Sequence, residues 1–166
     1  MGLCGSTVAT ASNGRWAWLP AEPPTVVRTI SSTELAQLLE KQLNAKAPLI
    51  QLADGTYGLY SRDDLTRLLA ANRTEALPYK KESFDCDNFA QVLLGCERVW
   101  FSAVPEECGS AFGIVQGVIP KEDGSLRGHA MNYWVDPADL TVWLIEPQND
   151  RLQKPPAGIQ PYLVMG

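Results

Sequence analysis

The chain has 166 residues, 45% hydrophobic and 20% charged, which suits one domain that buries roughly two-thirds of its unfolded surface. A net charge of −5 and a pI near 4.9, with no basic patch, argue against a nucleic-acid partner. No run approaches the ~20 apolar residues needed to span a bilayer and no signal peptide is visible, so a soluble, cytoplasmic protein is expected.

Residues 1–28 read as an irregular N-terminal segment, with Pro20, Pro23 and Pro24 breaking any periodicity. Met1-Gly2-Leu3-Cys4-Gly5-Ser6 matches the short myristoylation pattern with a cysteine beside it, and competes with a plain Gly/Ser/Thr-rich start. Residues 29–166 then form a single domain. Ser31 to Glu34 has capping-box spacing, and Leu35, Leu38, Leu39 and Leu43 predict a helix over about 32–44. Leu49 to Tyr60 reads as two strands turning at Asp54-Gly55. A second helix starts from a Ser61 cap, with Leu65, Leu68 and Leu69 on its buried face. Residues 29–75 carry no evident chemistry and read as a helical and hairpin scaffold, or as a substrate-facing or dimerising arm, which makes a homodimer an assembly to test.

Past Pro78 the pattern changes. Phe89, Val92 and Leu93 predict a helix over 86–95, with Gly95 placed to end it. Apolar strand-like runs follow at 111–119, 128–135 and 141–147, with turns at Asp123-Gly124 and Asp136 to Asp139. A helix followed by an antiparallel meander is an α+β order.

Four cysteines (Cys4, Cys86, Cys96 and Cys108) lack C-x-x-C spacing and there is one histidine, so a zinc site is not expected and the thiols read as reduced. Asp85 is a suitable N-cap and puts Cys86 at the first helical position, where free N–H groups and the helix dipole favour a thiolate and an oxyanion. The flanking Asp85 and Asp87 oppose that thiolate, so a positive group is required: a protonated histidine or a bound cation. Period-2 alternation sets His129, Met131, Tyr133 and Val135 on one strand face, with Trp134 and Trp143 on the other. If Asp136 pairs with Asp139, counting back seven residues sets His129 opposite Glu146, with Cβ atoms about 4.5–5.5 Å apart. A carboxylate there orients the imidazole towards the thiol. Tyr133 and Trp100 are candidates for lining a groove.

Asp85 to Ala90, Gly128-His129-Ala130 and Ile145 to Gln148 together resemble the calcium-dependent, papain-like protease domain of the Marasmius oreades agglutinin family, over about residues 79–150. The resemblance implies a papain-like cysteine protease fold, with an active-site helix packed on an antiparallel sheet. It implies a cysteine peptidase acting on a protein or peptide substrate, with Cys86 as nucleophile, His129 as base and Glu146 as third member. It also implies calcium or manganese held by Asp87, Asn88, Glu146, Gln148 and Asp150, oxygen donors suited to hard cations. The chain departs from the family in showing no lectin region ahead of these motifs. It also lacks a glutamine in Pro78 to Ser83, so a backbone N–H, Tyr79 or Lys80 would serve the oxyanion. Asn88 is a weaker ligand than aspartate. Two rival readings stand beside the peptidase: a papain-like cell-wall peptide amidase, and a non-catalytic binding module on the same fold.

Overall fold

The computed structural model describes residues 18–45, 49–120 and 125–166. The Met1–Ser6 pattern, Cys4 and the Asp123-Gly124 turn lie outside the described residues. Strand β1 (Val26–Ser31) runs directly into helix α1 (Ser32–Leu43). Ser31 caps α1 reciprocally: its Oγ accepts from Glu34 N at 3.2 Å, and Glu34 Oε2 accepts from Ser31 N at 2.8 Å. Asn44 ends the helix in the left-handed region at φ 52°. Strands β2 (Ile50–Gln51) and β3 (Thr56–Tyr60) follow, then α2 (Arg62–Ala71), whose Ser61 cap accepts from Asp64 N at 3.1 Å. Helix α3 spans Cys86–Phe101. Six strands complete the chain: β4 (Gly109–Ser110), β5 (Phe112–Pro120), β6 (Leu126–Val135), β7 (Val142–Glu146), β8 (Arg151–Gln153) and β9 (Gln160–Met165).

These strands make a small sheet, β1-β3-β4, and a large one, β2-β9-β5-β6-β7-β8. Side-chain alternation divides the core into two layers around β6. Met131, Tyr133 and Val135 pack with Leu35, Leu39 and Leu43 of α1. Ala130 and Trp134 point the other way, towards Ala90, Leu93 and Trp100 of α3 and the leucines of α2. Asn132 fastens that second layer, donating to Ala90 O at 2.9 Å and Gly113 O at 3.3 Å. No helix among the described residues is long and apolar enough to cross a membrane.

Three expectations are corrected by this architecture. The chain is sheet-rich, with nine strands against three α-helices among the described residues, and not the α+β papain-like cysteine protease fold expected. The difference arises because β1 begins within the stretch read as irregular, and because β8 and β9, unassigned from sequence, extend the large sheet. Asp54-Gly55 does not turn a hairpin: β2 pairs parallel with β9, whereas β3 pairs antiparallel with β1. Long-range partners here outweigh the local turn signal. Gly95 does not end α3. Glu97, Trp100 and Phe101 beyond it are buried, and that burial outweighs the roughly 1 kcal/mol cost of a mid-helix glycine.

Two glycine substitutions test this packing in opposite directions. A Cβ at Gly95 meets nothing within 4 Å, so Gly95→Ala is expected to raise stability by about 0.5–1 kcal/mol. A Cβ at Gly113 collides with the Met165 carbonyl and the Tyr133 ring, so Gly113→Ala is expected to lower it by about 1–3 kcal/mol. Urea unfolding of both variants reads the two signs.

Candidate functional site

The start of α3 is held by a tight local loop. Lys80 and Phe84 exchange backbone hydrogen bonds of 2.8 Å each, with Glu82 between them in the left-handed region at φ 65°. The Phe84 ring packs edge-on against Phe89, centroids 4.9 Å apart. Asp85 is the N-cap residue, and its N–H donates to Asn88 Oδ1 at 3.1 Å. Cys86 is therefore the first residue of the helix, half-buried and a free thiol. Cys96 and Cys108 are also free, with burial pushing both thiols above their ordinary range.

His129 and Glu146 meet. His129 is 6% exposed, and its Nε2 lies 2.6 Å from Glu146 Oε2. The route to this contact differs from the simple turn count. The observed register pairs Trp134 with Trp143 and Asn132 with Ile145, a shift of two residues from the pairing that sets His129 squarely opposite Glu146. The hairpin loop is longer than four residues: Asp136 N donates to Thr141 O at 2.9 Å, and Leu140 sits at φ 60°. A two-residue shift preserves the face, so His129 and Glu146 become diagonal neighbours within side-chain reach. Glu146 Oε1 also receives Gln148 N at 3.5 Å.

Cys86 lies beside a small apolar cluster. It packs with Ala90 against Ala130 and Ile114, on the sheet face that alternation makes opposite to His129. Among the described residues no hydrogen bond joins its Sγ to the imidazole, whose bond is to Glu146.

Asp85, Cys86 and Asp87 offer ligand atoms all within 4.8 Å of one another. A hydrogen bond with Asp87 holds the Asp85 carboxyl above its ordinary range, helped by burial and by the charges of Asp87 and Glu82. Two crowded carboxylates suit a hard cation, so these residues fit calcium or manganese. Asp85 was not foreseen as a donor; its place two residues before Asp87 in one helical turn was the available signal. Asn88 is committed to the cap and Glu146 to His129. Asp150, at φ 57°, has an enclosed Oδ1 with no hydrogen-bond partner, and burial followed by the Glu75 charge raises its pKa to about 6. Tyr133 and Trp100 are buried and line no groove, and Tyr79 is exposed.

No family model matches the chain, and no curated protein does. Among solved structures it is similar to one described as the PSL1a-E64 complex, with a TM-score of 0.71 and 24% identity over 83% of this chain and 51% of that one. It is also similar to Polyporus squamosus lectin bound to the human-type influenza-binding epitope Neu5Aca2-6Galb1-4GlcNAc, with a TM-score of 0.69 and 23% identity over 83% of this chain and 49% of that one. The likeness is one of fold, and the chain spans about half the length of each.

These findings correct the reading drawn from the motifs. The proteins sharing this fold are described as a PSL1a-E64 complex and as a lectin, neither as a peptidase. The Marasmius-type protease identification, the assignment as a cysteine peptidase or hydrolase with a catalytic triad, and the protein or peptide substrate are set aside on that ground.

The pair is expected to carry structural weight. Glu146→Ala leaves a buried imidazole without its partner and is expected to cost about 1–3 kcal/mol of stability, read by urea unfolding at pH 7. An unchanged midpoint would show that the contact contributes nothing to the fold.

Proposed function

We propose that the chain is a non-catalytic, cation-assisted binding module with carbohydrate as its ligand class, its cation site at Asp85, Cys86 and Asp87. The observation that carries the reading is the Asp85–Cys86–Asp87 cluster at the head of α3, two carboxyl groups crowded around one residue. Asp85 and Asp87 are the residues proposed to hold the ion, with Gln148 and Asp150 as candidate further oxygen donors. When bound, calcium or manganese supplies the charge that offsets the crowded carboxylates, together with coordination positions open to ligand oxygens. His129, oriented by Glu146, presents a polar edge fixed by a short hydrogen bond. The carbohydrate assignment draws on the lectin whose fold is similar; because the chain spans about half of that protein, the glycan is a proposal to be tested directly.

Calorimetry with calcium alone, and then with Neu5Aca2-6Galb1-4GlcNAc in the presence and absence of a chelator, tests both parts. Calcium binding is expected, weakened by roughly tenfold or more in Asp87→Asn, with glycan binding lost on chelation. No heat with calcium would remove the cation, and no glycan binding under any condition would remove the ligand class. Incubation with E64 and with peptide substrates, for wild type and Cys86→Ala, tests the absence of turnover. A covalent adduct on Cys86 together with Cys86-dependent peptide hydrolysis would overturn the non-catalytic reading.

A further inference from the structure

Helix α3 carries a second polar cluster far from Cys86. Eleven residues along, about 16 Å at the helical rise, Glu97 is completely buried. Its Oε1 accepts from Ser110 Oγ on β4 at 2.5 Å. Its Oε2 is enclosed and has no hydrogen-bond partner of good geometry, and the same holds for the nearby Tyr60 hydroxyl on β3. Arg98 Nη1 lies 3.6 Å from Oε2, but that guanidinium is already committed, donating to Ser110 O at 3.2 Å and Phe112 O at 2.9 Å. The other ionisable groups facing this cluster are Tyr133 on β6, Tyr57 on β3 and Asp64 on α2. Arg98 is the cation acting directly on Glu97, while Arg67 pairs with Asp64.

A buried carboxylate needs strong hydrogen bonds on both oxygens or a fully engaged counter-ion; Glu97 has one good bond, from Ser110, a weak one with Tyr60, and Arg98 only at 3.6 Å. A protonated carboxyl removes the buried charge and adds an O–H that the Tyr60 oxygen can accept. Ser110 belongs to a two-residue strand pairing only with β3, so few other bonds hold this edge of the small sheet.

We propose that Glu97 is a pH-sensitive latch between helix α3 and the β3–β4 edge of the small sheet, closed when its carboxyl is protonated and loosened when it ionises. Desolvation by burial, opposed by Arg98, Ser110 and Tyr60, brings the folded-state pKa of Glu97 up to about 7. An acid whose pKa is raised by folding leaves stability intact below its ordinary range and withdraws it as pH rises towards the folded value. The latch therefore holds at pH 5 and is released across neutrality.

Urea unfolding midpoints of the whole chain, wild type against Glu97→Gln from pH 5 to 8.5, test the latch. Glutamine keeps the shape and cannot ionise. The wild-type midpoint is expected to fall relative to the variant from pH 5 to about 7 and then level off, because the loss runs from the ordinary carboxyl range up to the folded value. Contributions from Asp150 and other groups unchanged by the substitution are common to both proteins and cancel in the difference. A difference that stays constant with pH overturns the proposal. If Glu97→Gln does not fold, hydrogen exchange of the wild type decides the question. Amides of residues 97–102 and 109–111 should lose protection at pH 8 relative to pH 5.5, after correction for intrinsic rates, while β5 and β6 do not. Equal protection in both segments sinks the idea.

Discussion

Strand β6 is buried on both faces from His129 to Val135, and this double burial is the constraint on which the remaining layers depend. Odd-numbered positions meet α1 and even-numbered positions meet α3 and α2, so a slip of one residue would exchange the two cores and turn His129 away from Glu146. β5 pairs with β6 without interruption from Phe112 to Pro120, which pins the register along the whole strand. The hairpin loop after Val135 absorbs the two-residue offset to β7 through a left-handed Leu140. Gln42 of α1 braces that loop, donating to Leu140 O and accepting from Val142 N at 2.8 Å each.

Helix α3 is polar at both ends and apolar between them. At its head, the unpaired N–H groups and the positive end of the dipole face two carboxylates and a thiol. Near its tail, Glu97 and Arg98 reach the small sheet through Ser110 and the strand carbonyls. Ala90 and Leu93 bury the middle, and Trp100 and Phe101 bury the last turn. The helix thus joins the large sheet to the small one, and a change in charge at either end acts on the same rigid body.

The functional conclusion rests on which groups meet. His129 and Glu146 form a short bond, the aspartates gather around Cys86, and the thiol itself packs towards the other sheet face. Motif order along a chain does not report such facing relations, because residues adjacent in a pattern can emerge on opposite sides of a sheet. Resemblance in three short motifs pointed to a peptidase. The similarity to PSL1a and to a lectin is one of fold.

By itself the sequence determined features set by short-range physics. The Ser31 and Ser61 caps, the leucine stripes of α1 and α2, and Cys86 at a helix start follow from hydrogen bonds and periodicities spanning a few residues. Parity was legible too: His129 and Glu146 share a face under any even shift of register, so the pair survived a wrong turn length. Only tertiary structure decided the parallel pairing of β2 with β9, the continuation of α3 through Gly95, and the burial of Glu97 against Ser110. Each of these depends on a partner tens of residues or more away, or on burial that outweighs local preference. A local pattern contains no term for either.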